Sequence, residues 1–248
     1  MKLYLHQLRS EQLLFWRSRE SAIFTFIFPV LLYLLLASVY GGEYRGRPTS
    51  NYLIVGMLGY GAANTGFAGL SLQLVYRRES AILKRLRGTP LPPGTYLAAT
   101  LTSILAVFTL QAAALLAIGR LLFDADLPSR PGPLVFVLAV TAVTFAAIGL
   151  AAAALIRSLE GSAAVVNVIL LPMGFLSGAF SPQRELPEFL RVIGNVLPLK
   201  YGIELLEGVY FGGSGALSNA TVLAVLGAWA LGALVIAWRF FAWEPREG

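Results

Sequence analysis

Residues Tyr76–Pro90, with the sequence YRRESAILKRLRGTP, form a short charged segment between two long uncharged ones. Five of its residues are basic and one, Glu79, is acidic. Apolar residues recur in it at helical spacing. These are Ile82, Leu83 and Leu86. With Glu79 in the first turn and the basic residues in the last, the charges suit a helix dipole, and Gly88 and Pro90 are placed to end the helix. The segment predicts a short amphipathic helix at a membrane surface.

The composition around this segment indicates a membrane protein. The chain of 248 residues is 57% hydrophobic and 13% charged, with a mean hydropathy of +0.71, whereas soluble domains carry about 25% charged residues. Six uncharged runs each exceed the ~20 residues that a helix needs to cross a bilayer. They are residues 21–42, 48–76, 88–119, 131–156, 161–183 and 208–238. We therefore expect an all-α membrane protein in which residues 1–248 form a single transmembrane domain.

Several chemistries are excluded by residue type. The chain has no cysteine and a single histidine, His6, which excludes disulfides, thiolate metal sites and multi-histidine sites. It has no G-x-x-x-x-G-K-[ST] loop for ATP. The net charge of +6 is distributed as in membrane proteins rather than in nucleic-acid-binding ones. We expect no cofactor, no metal and no nucleic acid on this chain.

Two further segments carry charge but are too short to cross a bilayer. Residues 1–20 have an apolar helical face among arginines, which favours an interfacial helix over a solvated tail. Residues 181–210 contain two helical stretches of about a dozen residues, which predict a hairpin that dips into or lies on one membrane face. This hairpin carries two carboxylate pairs, Glu185/Glu188 and Glu204/Glu207, which suit either acid–base chemistry or a solvated helix face.

The basic residues predict the orientation. If residue 1 is cytoplasmic, twelve of the 19 Lys and Arg residues fall on the cytoplasmic side and seven on the outer side. Both termini and the 76–90 segment are then cytoplasmic, and the hairpin is extracellular. Polar residues within the spans, such as Asn64 and Asn167, serve either to bond helices together or to line a substrate path.

Two motifs together resemble a known family. Residues 78–91, RESAILKRLRGTPL, are similar to the loop R-E-x-G-x-L-x-x-L-R-x-T-P-L of type-2 ABC exporter permeases. The segments LSGAFSP at 176–182, Leu186-Pro187 and LPLKY at 197–201 resemble that family's second signature. The order, spacing and six-span layout agree over nearly the whole chain. One departure is Ala81, where the family usually has glycine.

The resemblance implies a role for each segment. The 76–90 segment would be the cytoplasmic coupling helix that docks on an ABC ATPase subunit, present in two copies that hold ATP and Mg. The coupling residues would be Arg78, Glu79, Ile82, Leu83, Arg85, Leu86 and Arg87. A second permease chain, identical or not, would complete a path lined by the second and fifth spans. The candidate path residues are Asn64, Phe67, Asn167 and Phe175. The outer hairpin would be re-entrant, with Pro182, Pro187, Pro198, Tyr201 and Glu204 as its marked positions.

The resulting hypothesis is a permease subunit, not itself an enzyme, of an exporter in the bacterial cytoplasmic membrane. Its substrate would be amphipathic, drug-like or lipid-like. The alternatives are an intramembrane lipid-modifying enzyme that uses the outer carboxylates, and a channel or scaffold without an ATPase.

Overall fold

The computed structural model describes residues 1–44, 46–180, 187–213 and 219–245. Helices dominate, and two strands of two residues, β1 (Glu43–Tyr44) and β2 (Arg47–Pro48), pair antiparallel. The helices are α1 Lys2–Arg17, α2 Arg19–Val39, α3 Thr49–Ala63, α4 Leu70–Glu79, α5 Ile82–Arg87, α6 Pro93–Phe123, α7 Pro131–Leu155, α8 Leu159–Leu176, α9 Glu188–Gly194, α10 Pro198–Tyr210 and α11 Ala220–Phe240. A π-helical turn, Asn64–Gly69, joins α3 to α4 and is called the π segment below.

Six helical stretches among the described residues are long and apolar enough to cross a membrane. They are Ala22–Val39, Thr49–Glu79, Pro93–Phe123, Pro131–Leu155, Leu159–Leu176 and Ala220–Phe240. The prediction of an all-α membrane protein with six spans is therefore confirmed. Each predicted span coincides with one of these helices, although the third extends beyond its predicted end to Phe123.

The second span, made of α3, the π segment and α4, lies at the centre of the bundle. It packs against α2, α6, α7, α8 and α10, and small residues allow this. A Cβ added at Gly149 of α7 would lie 2.5 Å from the Gly66 carbonyl oxygen of the π segment, so the two backbones touch. A Cβ at Gly56 of α3 would lie 2.3 Å from the carbonyl oxygen of Ala179. Close approach of helices through small residues is typical of membrane bundles.

The segments between spans collect at two ends of the bundle. One end, called the basic face, holds α1, the segment around α5, residues 156–158 and residues 239–245. Lys84 and Glu244 are paired there at 3.8 Å. The other end, called the hairpin face, holds β1–β2, residues 124–130 and the end of α10, where the Ser129 amide donates to the Tyr210 carbonyl at 3.0 Å.

The structure corrects one local prediction in the charged segment. Glu79 does not lie in the first turn of the short helix; it is the last residue of α4, and α5 begins at Ile82. The helix is interrupted between them, at Ser80 and Ala81. The helix-ending role of Gly88 is as expected, since it is the C-terminal cap of α5.

Candidate coupling site and substrate path

The α5 helix presents its charges outward. Lys84, Arg85 and Arg87 are exposed, whereas Leu83 is fully buried against the bundle. Ile82 and Leu86 are half-buried at the edge of that contact. The helix is therefore attached mainly through Leu83, with Leu86 packed beside it, and carries a basic outer surface.

The connection before α5 contains a left-handed residue. Ala81 has φ +55° and ψ +17°, and it is one of two non-glycine residues with positive φ among the described part of the chain. A side chain in this region clashes with the following carbonyl, which is why glycine adopts it most readily. The geometry accounts for the glycine that the resembling permeases carry at this position.

Arg78 lies beneath α5 and points into the bundle, with 1% of its surface exposed. Its Nη1 and Nη2 donate at 2.7 Å to the carbonyl oxygens of Ala153 and Ile156, and its Nε donates at 2.7 Å to a carboxylate oxygen of Glu79. The last carbonyls of a helix have no partner within it. The guanidinium thus caps the end of α7 and ties the fourth span to the second.

A second buried cation, Arg77, is bound by the N-terminal helix. Its Nη1 and Nη2 donate to the two carboxylate oxygens of Glu11 at 2.8 and 2.7 Å, and Nη1 also donates to the Tyr96 hydroxyl at 2.7 Å. Glu11 accepts further bonds from Gln7 at 2.7 Å and Gln73 at 3.1 Å. Bidentate Arg–carboxylate pairs of this kind fix orientation as well as position. The pair joins α1, α4 and α6.

The N-terminal helix packs on the bundle with its polar side. Gln12 donates to the Ser103 hydroxyl of α6 at 2.9 Å, and Tyr4 donates to Thr102 at 2.8 Å. Its apolar residues Leu5 and Trp16 are about half exposed. The helix therefore turns several polar side chains to the protein and leaves apolar ones exposed.

The two candidate path residues in the second span lie on the π segment. Phe67 is buried, with 2% of its surface exposed, and Asn64 is half-buried. Beside them the Thr65 hydroxyl donates at 3.1 Å to the side-chain oxygen of buried Gln111. π-helical insertions within α-helices, such as this segment, occur frequently at functional sites.

The two candidate path residues in the fifth span face outward. Asn167 is exposed, and Phe175, eight residues later in α8, is 54% exposed. The Phe175 ring contacts Phe180 edge-on at 4.8 Å, and Phe180 contacts Tyr60 of α3 at 4.7 Å. The structure thus places Asn167 and Phe175 on a surface of this chain and Phe67 in its interior.

The hairpin residues are only partly described. Pro182 and residues 181–186, with Glu185, lie outside the described residues. Pro187 precedes α9 and Pro198 is the first residue of α10, positions that suit proline. The Tyr201 hydroxyl donates to the Asn195 carbonyl at 2.6 Å, and exposed Glu204 accepts from Asn219 at 3.5 Å. No cluster of three or more His, Asp or Glu suited to a metal is found in the described part of the chain.

The first half of α10 lies beside Gly59 and Thr141, each ten residues from the start of its span. A Cβ at Gly59 would lie 2.7 Å from Ile203, and one at Gly202 would lie 2.9 Å from Thr141. The Trp229 indole of α11 also donates at 3.2 Å to the Val196 carbonyl, between α9 and α10.

At its other end, α10 is anchored on the hairpin face. Tyr210 donates its hydroxyl to the Asp126 carbonyl. Burial raises the pKa of Tyr210 above its ordinary value, so the proton needed for this bond stays in place.

Two residues of this arrangement, Glu11 and Tyr96, were missed by sequence reasoning, whereas Gln73 was expected among the polar residues that bond helices together or line a path. A signal existed, because Gln7/Glu11 and Gln73/Arg77 are both spaced four apart and so share a helix face. The pattern indicates a polar face on each helix, but it does not indicate that the two faces meet.

These features define a multi-pass helical membrane protein of the permease class, in which short surface helices are fixed to a six-span bundle. A family model described as "ABC-2 type transporter" matches residues 4–211. The chain belongs to the ABC-2 type transporter family, and the resemblance seen in its motifs is confirmed.

Two relatives support this assignment. The chain is 27% identical over 207 residues to a protein of Porphyra purpurea named as a transport permease, ycf38, covering 79% of this chain and 69% of that protein. It is 34% identical over 76 residues to nodulation protein J of Rhizobium leguminosarum bv. viciae, covering 31% of this chain and 29% of that protein. As a family member the chain is a transmembrane transport component.

Proposed function

We propose that this chain is the permease subunit of an ATP-driven exporter in a bacterial cytoplasmic membrane. Two copies of an ABC ATPase would bind at the basic face and hold ATP and Mg. The excess of basic residues on this face supports a cytoplasmic position for it and for both termini. The substrate would be amphipathic, drug-like or lipid-like, and would leave on the hairpin face.

The observation that carries this proposal is the attachment of α5. Its outer surface is basic and exposed, while Arg78, four residues before its start, is bonded to the end of the fourth span at 2.7 Å. A partner that displaces α5 therefore displaces the second and fourth spans together. In this scheme Arg85 and Arg87, with Ile82 and Leu86 at the edge, contact the ATPase. Arg78, Glu79 and Leu83 instead hold α5 in position.

A second permease chain, identical or related, is supported by the outer side of α8. Asn167 is exposed on a helix that spans the membrane. A polar amide facing lipid has no hydrogen-bond partner there, which is unfavourable. A second chain against this side would cover Asn167 and Phe175 and would place the path between the two copies, with Asn64 and Phe67 on its inner wall.

The contacts of α10 support a re-entrant hairpin. Its first half lies near Gly59 and Thr141, each ten residues into its span from the hairpin face, and its last residue bonds to that face. A helix of 13 residues is too short to cross. It would therefore run from mid-membrane to the outer surface and close the exit of the path.

Docking can be tested by co-expression with the ABC ATPase encoded beside this chain. Replacing Arg85→Glu together with Arg87→Glu is expected to weaken co-purification of the ATPase by about tenfold or more, because the reversed charges would repel acidic partner groups. ATP-driven substrate export from vesicles should fall with it. The matched control is Arg191→Glu, an exposed arginine on α9. Equal loss in the control, or none in the double variant, would contradict the proposal.

Coupling can be separated from docking at Glu79. Glu79→Lys removes the carboxylate that accepts from Arg78 and adds a cation beside it. We expect the complex to assemble and hydrolyse ATP while transport per ATP falls, and the milder Glu79→Gln to lie in between. A transport-to-ATPase ratio unchanged in Glu79→Lys would rule out the positioning role.

A further inference from the structure

An apolar cavity of about 560 Å³ lies between α7, α8 and α11, apart from the coupling loop. Its volume falls within the ~300–1,000 Å³ typical of sites for small ligands. The lining has no charged residue and includes the flat ring of Trp229 and the buried ring of Phe67. The cavity is open on the outer side of the bundle, since Gly232 is exposed and a Cβ built there meets no atom within 4 Å.

The cavity occupies one half of the membrane. Along α11 its lining runs from Ala228, near the middle of the helix, to Ile236, and along α7 it reaches Leu155 and Ile156 at the end of the helix. The Ile236 end of this stretch of α11 and the Leu155–Ile156 end of α7 both lie toward the basic face. The surroundings at this depth are hydrocarbon, and an unfilled apolar cavity forfeits the dispersion contacts of its walls. The acyl chain of a bilayer lipid is the nearest group that could fill the cavity.

The basic-face end of the cavity is flanked by two arginines. The lining positions of α11 include Trp229, Gly232 and Ile236, and the same helical spacing continues to Arg239. Arg157 directly follows Ile156 of the lining. Both side chains are exposed, and neither forms an ion pair with another described residue. Basic pockets between membrane helices at this level recognise anionic lipid headgroups.

We propose that this cavity binds one acyl chain of an anionic phospholipid, whose phosphate lies between Arg157 and Arg239. The apolar walls suit the chain, and the two cations at one end suit the headgroup. A helix from a second protein copy would complement the walls but would leave both arginines without a counter-charge. This inference does not depend on the proposed transport function.

The test uses the full chain with Trp229 as its only tryptophan, through Trp16→Phe, Trp238→Phe and Trp243→Phe. The protein is reconstituted into vesicles of phosphatidylcholine containing a small fraction of lipid with bromine atoms in the distal half of one chain. Bromine quenches the fluorescence of a tryptophan that it touches. The brominated lipid is either phosphatidylglycerol or phosphatidylcholine.

We expect brominated phosphatidylglycerol to quench Trp229 at a lower fraction than brominated phosphatidylcholine. The preference should fall by about fivefold for each of Arg157→Gln and Arg239→Gln. Gly232→Leu, which fills the cavity, should reduce quenching by either lipid. The matched control is Gly227→Leu on the same helix, also in open space but outside the lining, and it should leave quenching unchanged.

Three results would overturn the proposal. The first is equal quenching by the two lipids. The second is a phosphatidylglycerol preference that survives both arginine replacements. The third is a Trp229 that neither lipid quenches, with cross-linking between two chains abolished by Gly232→Leu, which would assign the cavity to a second copy.

Discussion

The basic face and the hairpin face are each held by an arginine–carboxylate pair between distant segments, but the two pairs differ in burial. At the basic face Arg77 and Glu11 lie 2.7 Å apart, with 8% and 1% of their side chains exposed. At the hairpin face Arg47 and Asp126 lie 3.1 Å apart, with 43% and 51% exposed. One pair is sealed in the protein and the other is open to its surroundings.

The difference indicates at which face the arginine–carboxylate pair holds its helices in one fixed arrangement. A buried pair adds little net stability, yet removing one partner leaves an uncompensated charge and is costly. An exposed pair is screened and exchanges easily with solvent. The basic-face pair therefore keeps α1, α4 and α6 in one fixed arrangement, and the Arg47 contact of the hairpin face is the looser of the two.

The largest effect is expected from Glu11→Ala. This change leaves the Arg77 guanidinium buried without its carboxylate, so the free energy of unfolding in detergent should fall by about 3–5 kcal/mol. The measurement is denaturant unfolding followed by circular dichroism. Glu20→Ala, at an exposed position, should stay within about 0.5 kcal/mol.

A double variant sharpens this test. Glu11→Leu with Arg77→Met removes both charges at once and should recover most of the stability lost in Glu11→Ala. If Glu11→Ala is no more harmful than Glu20→Ala, the basic face is not held in the way the structure shows.

Arg78→Lys should have the next largest effect. A lysine ammonium cannot reproduce the fork that reaches Ala153, Ile156 and Glu79 together, so at least one buried carbonyl loses its partner. The expected loss is about 1–3 kcal/mol in the same unfolding assay. Arg87→Lys, on the exposed side of α5, serves as control and should change little. Equal effects of the two would argue against the cap on α7.

Ala81→Gly is expected to act in the opposite direction. Glycine removes the Cβ clash at φ +55°, so stability should rise by about 1 kcal/mol. Ala98→Gly, in the second turn of α6, should lower it by a similar amount, because glycine is unfavourable within a helix. A fall in both variants would mean that the backbone at Ala81 is not left-handed in solution.

The smallest effect is expected from Arg47→Ala on the hairpin face. Its pair with Asp126 is exposed, and its position 5.1 Å from the Phe211 ring adds a weak cation–π contact. The loss should be about 0.2–1 kcal/mol and should shrink further at high salt. A loss as large as that of Glu11→Ala would remove the distinction between the two faces.

The spans and the short helix α5 could be predicted because each depends on a local pattern. Uncharged runs of span length and apolar residues at helical spacing locate helices without knowledge of neighbours. The prediction for Glu79 was wrong for a local reason as well. The helix is interrupted at Ala81, which has a left-handed conformation that alanine rarely adopts. The residue type therefore does not predict the interruption.

The buried bonds at the basic face could not be predicted because they are not local. Arg77 and Arg78 are adjacent in a run of charges that reads as a solvated surface, yet they turn to opposite partners, Glu11 and the end of α7. Which partner each arginine meets depends on how helices far apart in the chain pack. The roles of the path residues depend in addition on a second chain and stay predictions.

The glycine contact and the arginine cap act on the same pair of helices. Gly66 touches Gly149, and Arg78, twelve residues later, is bonded to the end of α7. On α7 the two attachment points, Gly149 and Ala153–Ile156, are four to seven residues apart, which is about 6–11 Å at 1.5 Å per residue. Two separate contacts prevent either helix from rotating about the other. We therefore expect α4 and the second half of α7 to move as one rigid unit. Under the proposed function, a push on α5 would therefore reach the π segment, in the middle of the second span.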